Sequence, residues 1–207
     1  MQHPTNIAAI VLAAGMSQRM GRLKALLPFG DKPMLARILE NLENTGGIAP
    51  ILLVLGYAAP QIAPVAAPFS VRLLHNPDYE AGGMLSSIQT GVQALPPDTE
   101  AFFLVLGDQP GVRPQTLRSL RTAWQQSPGL ITLPTHEDRR GHPLLLSALL
   151  IPEILALPPN STLKTLITRH SDHIRRVPVP DPAILFDVDT PEDYLRALRE
   201  FETLSNS

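Results

Sequence analysis

Along the chain, unbroken apolar runs of strand length alternate with segments whose apolar residues recur at helical spacing. Residues 7–14, 49–56, 71–76, 101–108 and 130–134 are β-branched or leucine-rich and bounded by Gly, Pro or Asn. They lack polar alternation, the pattern of strands covered on both faces. Between them, residues 33–44, 84–95 and 114–126 predict helices, with Pro33 and Pro114 where a first helical turn tolerates proline. Strand–helix alternation of this kind predicts an α/β fold with a parallel, doubly wound sheet.

After Pro134 the rhythm changes. THEDRRGHPLLLS predicts two short strands about a polar turn, then helical stretches at 151–157 and 162–170 and further strands at 173–179 and 184–188. A closing helix over 191–204 is capped by Thr190, with Asp193 near the positive end of its dipole. The 22 prolines fall mostly between these elements. The predicted organisation is one domain over residues 1–207, with a small antiparallel flap at about 130–180.

Composition narrows the function classes. At 207 residues and 44% hydrophobic the chain can bury a full core, and a formal net charge of −2 argues against a nucleic-acid partner. The lack of cysteine removes disulfides, zinc ribbons and thiol catalysis together. No apolar run approaches the ~20 residues of a membrane span. MQHPTNIAAI carries no cationic stretch ahead of its apolar one, so no signal peptide is predicted. The expectation is a soluble, cytoplasmic protein that binds neither nucleic acid nor membrane.

The chemistry concentrates where strands end. VLAAGMSQRMGRLK leads from an apolar strand into a loop with Gly15, Arg19, Gly21 and Lys24. Open α/β sheets bind ligands beyond the carboxyl ends of their strands, and glycine lets backbone N–H groups approach a phosphate closely. Five residues rather than four separate the glycines, and Ala25 follows Lys24, so this is not a P-loop; nor is it a G-x-G-x-x-G turn. A polyphosphate suits these cations. GDQP puts Gly107 and Asp108 at the end of another strand, and a carboxylate beside a polyphosphate calls for a divalent cation between them. Asp187 and Asp189, in FDVDTPEDY, offer further carboxylates. His142 reads either as a structural hairpin histidine or as part of a pocket wall, and Trp124 is expected to pack on a helix face.

Taken in order, LAAGMSQRMGRLK, HNPDYEAGGMLSSIQTGV, GDQP, GHPLLLS and DVDTPEDY resemble the molybdenum cofactor cytidylyltransferases over nearly the whole chain. These are nucleotidyltransferases built on a Rossmann-like sheet. The resemblance implies transfer of CMP from CTP to the terminal phosphate of molybdopterin cofactor, with release of pyrophosphate and help from Mg²⁺. It assigns Leu12, Ala13, Ala14, Gly15, Arg19, Lys24, Gly82, Gly83, Ser87 and Gly107 to the nucleotide, Gly82 to Ser87 against base and ribose. Arg19, Lys24 and Asp108 are the implied catalytic residues, and Ser87 is expected to open a helix. Asp108 and Asp189 are the implied metal ligands, with Asp187 the weaker alternative. Gly141, His142 and Pro143 would line the acceptor pocket.

Relatives that use GTP resemble LAGG, so Ala14 in the LAAG of this chain points to cytosine. The run between Tyr79 and Ser86 is one residue longer than the family pattern, and either Gly82 or Gly83 can take the family contact. A molybdenum hydroxylase, or the chaperone that loads it, is the implied recipient. A phosphate monoester is mostly a dianion near neutral pH, so no general base is required. The rival readings are a nucleotidyltransferase using GTP or another phosphorylated acceptor, and a non-catalytic carrier of finished cofactor.

Overall fold

The computed structural model describes residues 6–205; Met1 to Thr5, on which part of the leader reading rests, lie outside the described residues. The chain runs through β1 (Ile7–Ala13), β2 (Pro28–Phe29), β3 (Lys32–Pro33), α1 (Met34–Thr45), β4 (Ile51–Leu55), α2 (Ala59–Ala66) and β5 (Val71–His75). It continues through α3 (Gly83–Gln93), β6 (Ala101–Leu106), α4 (Pro114–Gln126), β7 (Ile131–His136), β8 (Arg139–Arg140) and β9 (Leu144–Ser147). The last elements are α5 (Ile151–Ala156), α6 (Leu163–Arg169), β10 (Ile174–Pro178) and α7 (Pro191–Ser205).

The apolar runs form one sheet whose central strands are buried on both faces, whereas the edge strands β5 and β10 are half-exposed. Its order is β10-β7-β9-β6-β1-β4-β5, with β8 paired to β7. β1 lies parallel between β4 and β6, so that Ala9 has Ile51 on one side and Phe103 on the other. Ile7, Ala9 and Val11 pack with Leu35 and Leu39 of α1 and Leu117 and Leu120 of α4. Ala8 and Ile10 face the opposite way, toward Leu85 and Ile88 of α3 and Ile154 of α5. Helices cover both faces, as the doubly wound expectation requires. Burying an aliphatic side chain of this kind stabilises by roughly 1.5–3 kcal/mol, so the paired cores supply much of the driving force.

The antiparallel part takes three forms. β9 inserts between β6 and β7 and runs antiparallel to both, β8 folds back on β7, and β2–β3 make a separate two-stranded hairpin. Strands from the 130–180 region are thus continuous with the main sheet. Among the described residues no helix is long and apolar enough to cross a membrane.

Two local expectations are corrected, and one helix is added that the sequence reading lacked. Residues 184–188 form no strand; Pro182–Leu185 are a 3-10 turn, because Asp181 caps it by accepting from the Ala183 N–H and proline occupies the first turn. α2 was not expected at all. Its APQIAPVA sequence holds Pro60 in the first turn, where proline is tolerated, and Pro64 inside the helix, a residue that normally breaks one. Helix α3 also begins at Gly83, so Ser87 stands one turn inside it instead of opening it. Trp124 is buried, and its indole N–H donates to the Gly129 carbonyl at 3.0 Å.

Candidate active site

Strand order reverses beside β1, and the loops leaving β1 and β6 meet there. The first loop is braced internally. Ser17 adopts φ 53°, and its hydroxyl accepts from the Lys24 backbone N–H at 3.2 Å, which folds the loop back on itself. Gly107 follows β6, where its N–H donates to the Leu12 carbonyl at 2.9 Å. A Cβ at this residue would run into that carbonyl, so only glycine lets the two strand ends come so close.

Lys24 is the centre of the charge arrangement. Its ammonium lies 3.2 Å from Asp108 Oδ2 and 2.5 Å from Asp189 Oδ1, while Arg19 Nη2 is 2.7 Å from Asp189 Oδ2. Lys24 is well covered and Arg19 is 70% exposed, so the lysine pair is the less screened of the two. Burial pushes the Asp108 carboxyl above its ordinary range, against the pull of Lys24 and with a push from Asp187. Burial acts on Asp189 in the same direction, but Lys24 and Arg19 together outweigh it and hold that carboxyl below its ordinary range.

Asp189 reaches this position from the far end of the sequence. The Val188 N–H donates to the Asp108 carbonyl at 2.9 Å, which stitches the two segments together. Thr190 and Asp193 form a reciprocal cap on α7: the Asp193 N–H donates to Thr190 Oγ1, and the Thr190 N–H donates to Asp193 Oδ2. Buried Gln109 adds a further tie, its amide donating to Asp187 Oδ1 at 2.7 Å. Asp187 is therefore engaged by glutamine, whereas Asp189 is engaged by Lys24 and Arg19.

A cavity of about 450 Å³ opens in front of these groups, within the range of small-molecule sites. Leu12, Ala13, Ala14, Gly15, Arg19, Lys24, Gly83, Ser87, Gly107, Asp108 and Asp189 all line it. Gly82, Asp187, Gly141, His142 and Pro143 are not among its walls. Gly83 has φ 57°, a conformation glycine adopts without strain, whereas Gly82 caps α3 and sits tight against Ser86. Strand β9 follows the Gly141–Pro143 turn, which is fixed by the His142 N–H donating to the Ile184 carbonyl at 3.0 Å. The buried Nδ1 of His142 has no hydrogen-bond partner among the described residues, and burial lowers the pKa of the ring despite Asp187 nearby.

The match to protein families decides the membership. Residues 9–174 match the model of the MobA-like NTP transferase domain. The chain belongs to that family.

The chain is 31% identical to the molybdenum cofactor cytidylyltransferase of Escherichia coli (strain K12), over 94% of this chain and 97% of that one. It is 29% identical to the nicotine blue oxidoreductase of Paenarthrobacter nicotinovorans, over 93% and 96% of the two chains. The crystal structure of Rv0371c from Mycobacterium tuberculosis shares 29% identity at a TM-score of 0.80, covering 95% of this chain and all of that one. The same mycobacterial protein is also known in a complex with manganese, at 28% identity and a TM-score of 0.75 over 94% and 98% of the chains. The family assignment and the mostly parallel α/β fold bear out the resemblance carried by the five motifs. The chain carries a nucleotidyltransferase domain.

The cavity contains walls that the motif reading did not assign. Tyr79, Glu80 and Met84 line the cavity from the segment before and at the start of α3. Ile62 lines it from α2, the helix hidden by its prolines. Buried Asn76 holds this region together, donating to Ser86 Oγ at 2.8 Å and Ser87 Oγ at 3.0 Å and accepting from the Asp78 N–H at 2.9 Å. The Asn76–Pro77 dipeptide is a sequence signal for that turn, since an Asn side chain accepts from the backbone N–H two residues on.

Proposed function

We propose that this protein transfers CMP from CTP to the terminal phosphate of a molybdopterin-type cofactor and releases pyrophosphate. The observation that carries the reading is the convergence of Lys24, Arg19, Asp108 and Asp189 on one cavity at the strand ends. The E. coli relative named for this reaction supports the choice of substrates, as does Ala14 in the first loop.

The donor set fits a hard divalent cation. Asp108 and Asp189 already direct one oxygen each at a single cation, the Lys24 ammonium. No group of three or more metal-binding side chains occurs among the described residues, so the set is a pair and not a cage. Magnesium suits such a pair, since it is usually held by one or two carboxylates together with substrate phosphates. The manganese complex of the mycobacterial protein supports a divalent ion in this family. When bound, the ion would neutralise charge on the triphosphate and fix its geometry.

In the proposed reaction an oxygen of the acceptor phosphate attacks the α-phosphorus of CTP. The bond to the bridging oxygen breaks, and its electrons leave with pyrophosphate. The attacking oxygen is already anionic, so the protein need not remove a proton. What it supplies is alignment and positive charge: Arg19 and Lys24 hold the triphosphate, and the strand ends keep it in line with the acceptor. The Gly141–Pro143 turn is proposed for the acceptor side, and a molybdenum hydroxylase or its loading chaperone is the proposed recipient, within the cytoplasm.

Melting temperature measured with CTP, GTP, ATP and UTP, each with and without Mg²⁺, tests the nucleotide. Ligand at about 100 times its Kd adds about 2.7 kcal/mol to the folded state, which for a chain of this size is a rise of roughly 5–11 °C. A rise confined to CTP with Mg²⁺ is expected, followed by pyrophosphate release when acceptor is added. A rise with GTP alone would move the protein to guanylyl transfer, and tight binding of finished cofactor with no pyrophosphate release would make it a carrier.

A further inference from the structure

Lys24 is asked to do two things that conflict. The proposed function places it on the triphosphate, yet its ammonium sits between Asp108 Oδ2 and Asp189 Oδ1, the lone pairs a divalent ion would use. Metal–oxygen distances for magnesium are about 2.0–2.1 Å. An ion on those two oxygens and an ammonium 2.5 Å from one of them cannot share the space. The second oxygen of Asp189 is taken by Arg19, so that carboxylate has a cation on each side.

We propose that Lys24 holds the metal position itself until a triphosphate arrives, so that the site takes its divalent ion together with the nucleotide and not alone. This rests on the reading that Asp108 and Asp189 are the metal ligands. Two half-buried carboxylates beside each other repel, and Lys24 between them screens that repulsion while Arg19 supplies a second positive charge to Asp189. A free divalent ion must displace that ammonium and leave it with no anion. A metal–triphosphate pair brings the replacement partner with it: the phosphates accept the ammonium as the ion takes the carboxylates. The backbone allows the exchange, because Lys24 is pinned at its N–H by Ser17 Oγ and at its carbonyl by the Leu27 N–H, leaving the four-methylene side chain as the moving part. The result is coupling between metal and nucleotide, which commonly amounts to about 5–150-fold in affinity.

Mn²⁺ binding followed by electron paramagnetic resonance reads this without turnover. Wild type, Lys24→Met, Lys24→Arg, Arg19→Gln and Asp108→Asn are titrated with Mn²⁺ alone and again with saturating CTP and no acceptor. Lys24→Gln is a second neutral variant should Lys24→Met fail to fold. The expected result is that Lys24→Met binds Mn²⁺ alone on the order of 10-fold more tightly than wild type, a coupling of ordinary size. Lys24→Arg should stay near wild type, Arg19→Gln should gain clearly less, and CTP should erase the advantage of Lys24→Met. If Lys24→Met gains nothing, or Arg19→Gln gains as much, while Asp108→Asn abolishes binding, Lys24 is not the placeholder although the metal site stands. If Asp108→Asn binds Mn²⁺ as wild type does with CTP, the metal assignment fails and takes the proposal with it.

Discussion

At the scale of single residues, Asp108 shows what the site costs the fold. Burial raises its pKa more than Lys24 lowers it, so the protein would hold this carboxyl more easily uncharged. A carboxyl raised in this way contributes stability while protonated and loses it as pH rises through the folded-state pKa. At neutral pH the charged form is therefore carried at a net cost. Asp108→Asn is expected to leave the melting temperature unchanged or higher while lowering turnover on the order of 100-fold, the usual scale for one preorganised electrostatic group. A fall of several degrees would instead make Asp108 a structural partner of Lys24. The sequence signalled the residue through GDQP at a strand end; local pattern did not separate Asp187 from Asp189, and only the resemblance favoured Asp189. Those two stand two positions apart in an irregular stretch, and the structure gives them different partners, Gln109 for Asp187 and Lys24 for Asp189.

At the scale of elements, the entry to α7 decides where Asp189 sits. The Thr190–Asp193 cap starts the helix at Pro191, and Asp193 is held below its ordinary range chiefly by the Thr190 hydroxyl. Loss of such a cap costs about 1 kcal/mol, so Thr190→Ala should lower the melting temperature by roughly 2–4 °C. An unchanged transition in both Thr190→Ala and Asp193→Ala would remove the cap from the account. The helix is also anchored at its side: Tyr194 donates its hydroxyl to the Pro28 carbonyl at 2.5 Å, and the rings of Phe29 and Phe201 lie 4.7 Å apart. The cap was readable because Thr and Asp stand at the spacing a helix start requires. Helix α2 was not, because Pro64 inside it reads locally as a breaker while packing of Ile62 and Ala66 in the core outweighs it.

At the scale of the whole molecule, stability should depend on pH through His142. The folded state keeps this ring below its ordinary pKa, chiefly by burial. The unfolded chain takes up the proton near pH 6.5, so stability is complete above that pH and is lost as pH falls below it toward the folded-state value. Urea midpoints at pH 7.5 and 5.5 should show wild type losing more than His142→Gln, by up to about 1.4 kcal/mol per pH unit for one proton. Parallel profiles in the two proteins would show that the buried ring carries no such linkage.

Strand and helix alternation, the glycine-flanked cations after β1 and the carboxylate after β6 were all written in contiguous residues. Periodicity and local charge report on neighbours in the chain, and that was enough for the doubly wound class and the charged loops; the resemblance carried by the five motifs supplied the family and about half of the cavity wall. What local pattern did not contain was the direct contact of segments 165 residues apart, such as Lys24 with Asp189. Only the order of the strands, the packing of two apolar faces and the cap on α7 bring those side chains together. Tertiary structure likewise chose Gly83 over Gly82 at the cavity wall and set Lys24 between two carboxylates, because both depend on which surfaces are left facing the same space once the cores are buried.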